Sequence, residues 1–456
     1  MYKKILIASL ALIAGLASCK KDDPTPSPNP PSTLTIDGVA SSLEFYQLDT
    51  AHLSVAGVAK DAAAKAVWVV NGAKAAEGAT FDFTTAHPGK YEITLTVGGK
   101  SAKHTYTVAP RFSEGAFLLN EGNFGNETGS LTYIHPSKKL VIDQAYYRVN
   151  GTKLGNVCQD LAFGNDQVYI LSQLGPKNGD EGLLTIANSH SLEKVKVYND
   201  EALTQSTPTH IAVLRDHIYI RTERDGILRG SSEGGFTPIT GTKKALKQRM
   251  AQIGERLFAL TSDSKVLMIQ GTQVVRELNL SPAKPSGIAV SHDGKLWIST
   301  TSPNAILKVD PTPDNFVALD THILDKSISA TGSQSWERTT SSAFFAHGDK
   351  LYFTGQSSVI YCHDFATSKT SQVIDVKTID GVGTSANQYY NSLGVDPATG
   401  ELYYAAFEDY STYNKKNVTM VLKADGTKLL LKEKVNSFPA GFFFIPNAAS
   451  RTGANR

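Results

Sequence analysis

The sequence predicts an all-β protein, a seven-bladed β-propeller preceded by a small β-sandwich. The first ground is a repeat. An apolar strand, a short polar turn and an aromatic-bearing strand recur along most of the chain, as in Ile288-Ala289-Val290-Ser291-His292-Asp293-Gly294-Lys295-Leu296-Trp297. The aromatic anchors Phe117, Tyr169, Tyr219, Phe258, Trp297, Tyr352 and Tyr403 lie 52, 50, 39, 39, 55 and 51 residues apart. Each unit then offers a third strand, such as 305–310, and a fourth, such as 315–320. Four short strands in a unit of about 40–50 residues make a propeller blade. The second ground is closure. The unit at Phe117 lacks an innermost strand, and residues 438–446 offer a spare one that matches Pro285-Ser286-Gly287-Ile288-Ala289-Val290. Pairing the two removes the open edges of a linear array.

The 456 residues divide in order. Residues 1–18 read as a lipoprotein signal peptide: Lys3 and Lys4 precede an apolar run, 5–16, that is too short to span a bilayer. The run ends in Leu16-Ala17-Ser18-Cys19, a lipobox whose Cys19 thiol would take the lipid. Lys20-Lys21-Asp22-Asp23 and a proline-rich tether complete residues 19–32. Residues 33–110 carry strand-like runs at 34–36, 66–70, 91–97 and 104–108, separated by Asn71-Gly72, Pro88-Gly89 and Gly98-Gly99, which read as a sandwich with Trp68 in its core. The propeller takes 112–447, and 448–456 form a tail.

Composition excludes several functions. The formal charge is +2, and without Lys3 and Lys4 it is zero, so no phosphate-binding footprint exists and no nucleic-acid partner is expected. Three cysteines without a CxxC pair exclude a disulfide scaffold and a cysteine zinc module. Gly230-Ser231-Ser232-Glu233-Gly234 fits a nucleophile elbow, and Gly381-Val382-Gly383-Thr384-Ser385-Ala386 a dinucleotide loop, but neither sits between a strand and a helix. The scattered histidines read as surface residues. Cys158 reads either as a buried thiol or as a residue of the mouth.

Antiparallel strands reverse at each turn, so the loops after second strands and those between blades share one end of the ring. The strand 1-to-2 turns, such as Asn165-Asp166 and Arg215-Asp216, are tight. The opposite end carries the long loops 120–129, 173–182, 330–341, 383–392 and 406–417, where function on a rigid scaffold usually lives. Three are rich in aromatics: Trp336, then Tyr389 and Tyr390, then Phe407, Tyr410 and Tyr413. Such rings either stack on a planar or amphipathic ligand or wedge between blades. Arg338 and Asn391 stand beside them.

These repeats resemble the YncE-type seven-bladed propellers. Leu119-Asn120-Glu121-Gly122-Asn123-Phe124-Gly125 and Leu154-Gly155-Asn156-Val157-Cys158-Gln159-Asp160 resemble a Bacteroidota surface-lipoprotein branch of that group over residues 112–447. Lys20-Lys21-Asp22-Asp23 resembles the surface-export signal of such lipoproteins, and residues 33–110 are similar to PKD and Ig-like modules. The resemblance implies a lipid-anchored protein on the outer face of an outer membrane. It would capture a small molecule, cobalamin or another tetrapyrrole, and pass it to a TonB-dependent transporter. Asn120, Asn123, Phe124, Gln159 and Asp160 then join the loop residues as candidate ligand contacts. No catalytic residue, metal or resident cofactor is expected. Two alternatives remain: a general protein-interaction platform, and a metal-dependent propeller lactonase or lyase, to which Asn120-Glu121-Gly122 bears a faint likeness.

Overall fold

The computed structural model describes residues 33–39, 44–124, 127–177, 182–326, 328, 344–354, 357–387 and 393–446. The chain divides into two compact units. The strands between residues 35 and 109 form two sheets. Thr35–Asp37, Thr50–Ala56 and Thr80–Thr84 form one; Phe45–Tyr46, Lys100–Ala109, Gly89–Val97, Val67–Val70 and Ala73–Glu77, in that order, form the other. Gly89–Val97 alternates half-buried and buried residues toward its end, the period-two pattern of a strand with one face on a core. Trp68 is fully buried, and its indole N–H donates to the Gly78 carbonyl at 2.9 Å.

The described residues of the larger unit form seven four-stranded antiparallel sheets, the blades of a β-propeller. Six run in chain order. The first is assembled from Leu140–Ile142, Ser130–His135 and Ala116–Asn120, with Pro439–Phe444 as its inner strand. All seven aromatic anchors lie on second strands and are buried. Five face a small residue on the inner strand: Ala162 meets Tyr169, Ala212 Tyr219, Ala251 Phe258, Ala289 Trp297 and Gly394 Tyr403. The small partner leaves room for the ring to pack on the next sheet.

The described residues of the propeller share no single core. Apolar clusters instead join each sheet to its successor. One holds Phe117, Tyr133, Leu161 and Ile170 of the first and second sheets; another holds Tyr403, Val421, Ala116 and Phe442 and so joins the seventh sheet to the first. At about 1.5–3 kcal/mol for each large side chain removed from water, these layers supply the main stabilising term.

The tight turns follow from local chemistry. Asn165 and Asp166 both have positive φ, 52° and 56°, the type I′ geometry that matches the twist of a hairpin. The outer strands depart from the sequence reading. The fourth strand of the fifth sheet is Ala318–Ile323, after a short helical turn at Pro313–Asn315, not 315–320. Its residues are exposed, so no burial pattern marks its register. Short helices at Ala145–Asn150 and Glu201–Ser206 were not expected from the all-β pattern.

A candidate ligand-binding site at the long-loop end

Inner strands begin alike in four sheets. The ladder shifts register between Cys158 and Asp160, Pro208 and His210, Pro285 and Gly287, and Pro439 and Gly441. Each shift is a bulge with one extra residue: Gln159, Thr209, Ser286 or Ala440. Proline is tolerated there because a first strand residue can lack its N–H. Counting back from Ala251 opposite Phe258 places Gln248 and Arg249 at the same positions of the fourth sheet. The repeat thus builds a collar where the long-loop end meets the inner strands: Gln159, Thr209, Gln248 and Ser286, with Asp160, His210 and Arg249 one residue further in.

The collar is buried and charged. Gln159 is 1% exposed; its Nε2 donates to Glu121 Oε1 at 2.8 Å. Its Oε1 has no partner among the described residues. Gln248, also buried, donates to the Ser286 carbonyl, and its Oε1 is likewise unpartnered. Arg249 crosses between sheets. Its Nε donates to Asp160 Oδ1 at 2.9 Å in the second sheet, and its guanidinium lies 4.0 Å from the ring centre of Phe443 in the first. Arg249 Nη2 is buried without a partner among the described residues. Asp160 accepts a further bond from the Ile211 N–H at 3.0 Å. Burial pushes its carboxyl above the ordinary value, and Arg249 with two backbone N–H groups only partly opposes that. The pair itself lines a cavity of about 220 Å³ along the inner strands, with Ala162, Ile211, Val213 and Phe443.

The aromatic loop stands beside this collar. Phe438, just before the closing strand, is its hub: the Tyr413 ring stacks on it at 4.4 Å and 29°, Tyr410 at 5.8 Å and 27°, and Phe407 meets it edge-on at 5.2 Å. Phe438 holds φ at +55°, a strained value for a bulky residue, and its carbonyl accepts the Glu121 N–H at 2.8 Å. Val157, at φ +57°, is strained in the same way near the start of the second sheet's inner strand.

The sequence-predicted residues therefore fall into three groups. Tyr410 is 54% exposed and Phe124 63%, the latter under the Lys177 ammonium at 4.3 Å; both present a face to a ligand. Phe407 is fully enclosed and Tyr413 nearly so, which corrects their reading as ligand contacts: they are the packing beneath Tyr410. Asn123 donates to the Tyr413 hydroxyl at 3.4 Å, and Asn120 is buried between Ser130 and Thr132. Gln159 and Asp160 belong to the collar. Cys19, Trp336, Arg338, Tyr389, Tyr390 and Asn391 lie outside the described residues.

Sequence reasoning missed Phe438, Gln248, Arg249 and His210. His210 is fully buried and contacts Thr209 Oγ1 at 3.1 Å, so it is not a surface residue; His135 and His363 are buried too. Aligning the repeats on their aromatic anchors would have found Gln248, Arg249 and His210. Cys158 is a buried free thiol, pushed far above its ordinary pKa by desolvation. A β-carbon on Gly129 would lie 2.2 Å from its sulfur, so only glycine fits where the first sheet's loop crosses the second sheet. Among the described residues no group of three or more His, Cys, Asp or Glu side chains is placed to hold a metal ion, and no helix is long and apolar enough to cross a membrane.

Comparison with known proteins agrees on the fold. A quinonprotein alcohol dehydrogenase-like protein of Bacteroides thetaiotaomicron superposes with a TM-score of 0.59 at 16% identity, over 90% of this chain and 99% of that one. A protein from Lactobacillus plantarum gives 0.48 at 14% over 73% and 99%, and BamB from Moraxella catarrhalis 0.41 at 10% over 72% and 85%. No curated protein matches the sequence. Residues 114–445, which contain the collar, the aromatic loop and the closing strand, match the family described as Domain of unknown function (DUF5074), and the chain belongs to that family.

Proposed function

We propose that this protein is a surface-anchored binding protein that captures a small molecule at the long-loop end of its propeller and presents it to an outer-membrane transporter. The observation that carries the reading is the collar, where two amide oxygens and a guanidinium nitrogen are buried without partners among the described residues. Each such group costs about 1–3 kcal/mol, and a ligand edged with amides or hydroxyls would recover it. The exposed faces of Tyr410 and Phe124 add flat apolar area nearby. A corrinoid combines both properties, a planar macrocycle with a rim of carboxamides, and the sequence resemblance to surface lipoproteins supports that class. A lipid on Cys19 would provide the anchor, and a TonB-dependent transporter the partner.

Titrating cyanocobalamin, and haem in parallel, against the full chain tests the reading. Saturable binding is expected, weakened about tenfold by Tyr410→Ala, the loss of one stacked anchor, with an unchanged melting midpoint. Cys19→Ser should move the protein from the membrane to the soluble fraction. No saturable binding of either compound rejects a tetrapyrrole ligand, and equal affinity in Tyr410→Ala moves the ligand off this face.

A further inference from the structure

A second cavity, of about 320 Å³, opens at the same end of the propeller. Its walls are residues 127–131, where the first sheet's loop enters the strand Ser130–His135, the helix Ala145–Asn150 and the connection 434–437. Asn436 is 5% exposed; its Nδ2 donates to the Val418 carbonyl and to Thr419 Oγ1, each at 3.1 Å, while its Oδ1 has no partner among the described residues. Asp143 accepts the Gln144 N–H at 2.9 Å and the Thr132 hydroxyl at 3.3 Å, and burial pushes its carboxyl up. Glu127 accepts the Ser437 hydroxyl at 2.8 Å. Lys153 and Lys434 also line the wall, and neither forms an ion pair among the described residues. Tyr147 completes it with a ring that is 44% exposed.

We propose that this cavity binds one pyranose residue, free or at the end of a glycan. Two carboxylates and two ammonium groups balance, so the site favours no strong net charge in its ligand. Donors and acceptors are interleaved, which suits hydroxyl groups, since each both donates and accepts. The unpartnered Asn436 oxygen needs a donor, and the lysine ammoniums need acceptors; an apolar ligand would supply neither. A phosphate would meet Glu127 and Asp143. The volume lies at the small end of small-molecule sites and suits one six-membered ring. The C–H face of such a ring covers the exposed face of Tyr147.

Isothermal titration of the full chain with glucose, galactose, mannose, N-acetylglucosamine and glucuronate, beside a glycan array, tests this. Saturable binding of at least one sugar is expected. Tyr147→Ala and Lys153→Met should each weaken it about tenfold, and Tyr410→Ala should leave it unchanged, with melting curves confirming that all three variants fold. Tighter binding of glycan ends than of the free sugar identifies a glycan ligand, and equal binding a free one. Absence of binding across panel and array overturns the proposal, as does binding that neither cavity variant alters. Binding lost in Tyr410→Ala would place the sugar at the collar and equally overturn it.

Discussion

Arg249 ties three sheets together with one side chain, bonding Asp160 in the second while covering Phe443 in the first. Removing one partner of a buried pair leaves a charge without compensation, at about 3–5 kcal/mol. Arg249→Met should therefore lower the melting midpoint substantially at pH 7. The pH dependence has a definite sign. Asp160 titrates above its ordinary value in the fold, so the fold already favours the protonated form, and this group's contribution falls as pH rises through that window. Without Arg249 its carboxyl should rise further, and the midpoint gap to the parent protein should narrow on acidification to pH 5. A gap that widens instead would mean that the pair is not what the substitution breaks. At this scale the sequence was half legible. Gln159 and Asp160 were named through the family resemblance of the segment that carries them. Arg249 was overlooked, because the fourth inner strand lacks the proline that marks three of the others and only alignment on the aromatic anchors reveals it. Phe407 and Tyr413 were named as ligand contacts because their enclosure depends on Phe438, which arrives just before a distant strand.

Among the elements, the hairpin turn of the fifth sheet shows how a short polar sequence fixes a connection. Asp293 accepts the Lys308 ammonium at 2.6 Å, the Lys295 N–H at 3.2 Å and the Ser291 hydroxyl. Burial alone would raise its carboxyl, but the bonds from Lys308, Ser291 and the backbone outweigh it and hold the pKa at about 2. A carboxyl depressed in the fold stabilises above its ordinary value, and that contribution disappears as pH falls toward 2. Asp293→Asn should thus lower the midpoint slightly at pH 6, by less than about 1 kcal/mol because the pair is a third exposed. Parent and variant should converge near pH 2, and a constant offset across the range would refute the linkage. Such turns, and the inner strands they join, were legible because polar pairs interrupt apolar runs. Outer strands such as Ala318–Ile323 were not, since exposure on both faces leaves no period to read.

For the whole molecule, the governing feature is the pairing of the last strand with the first sheet. Phe443 lies opposite Phe117, and Phe442 opposite Leu118. Both phenylalanines are buried, and losing a buried phenylalanine costs about 3–5 kcal/mol. Ending the chain at residue 437 should therefore remove most of the stability margin of about 5–15 kcal/mol typical of a domain. Ending it at 446 should leave the midpoint unchanged. Equal midpoints for the two truncations would rule the pairing out as a source of stability. The fold class was legible because one pattern repeats seven times and errors in one copy are corrected by the others.

That same pairing gives the protein a history as well as a shape. While the chain grows from its N-terminus, Ala116–Asn120 is made early and its inner-side partner, Pro439–Phe444, long after it. Until then a strand buried along its whole length in the finished molecule stands open at one edge. An open apolar edge accepts any strand of suitable register, including one from another nascent copy. A chain that stalls or is clipped a few residues early is therefore a different species, not a weaker propeller: it is competent to pair with its neighbours. The arrival of Pro439–Phe444 decides between a closed ring and an aggregate.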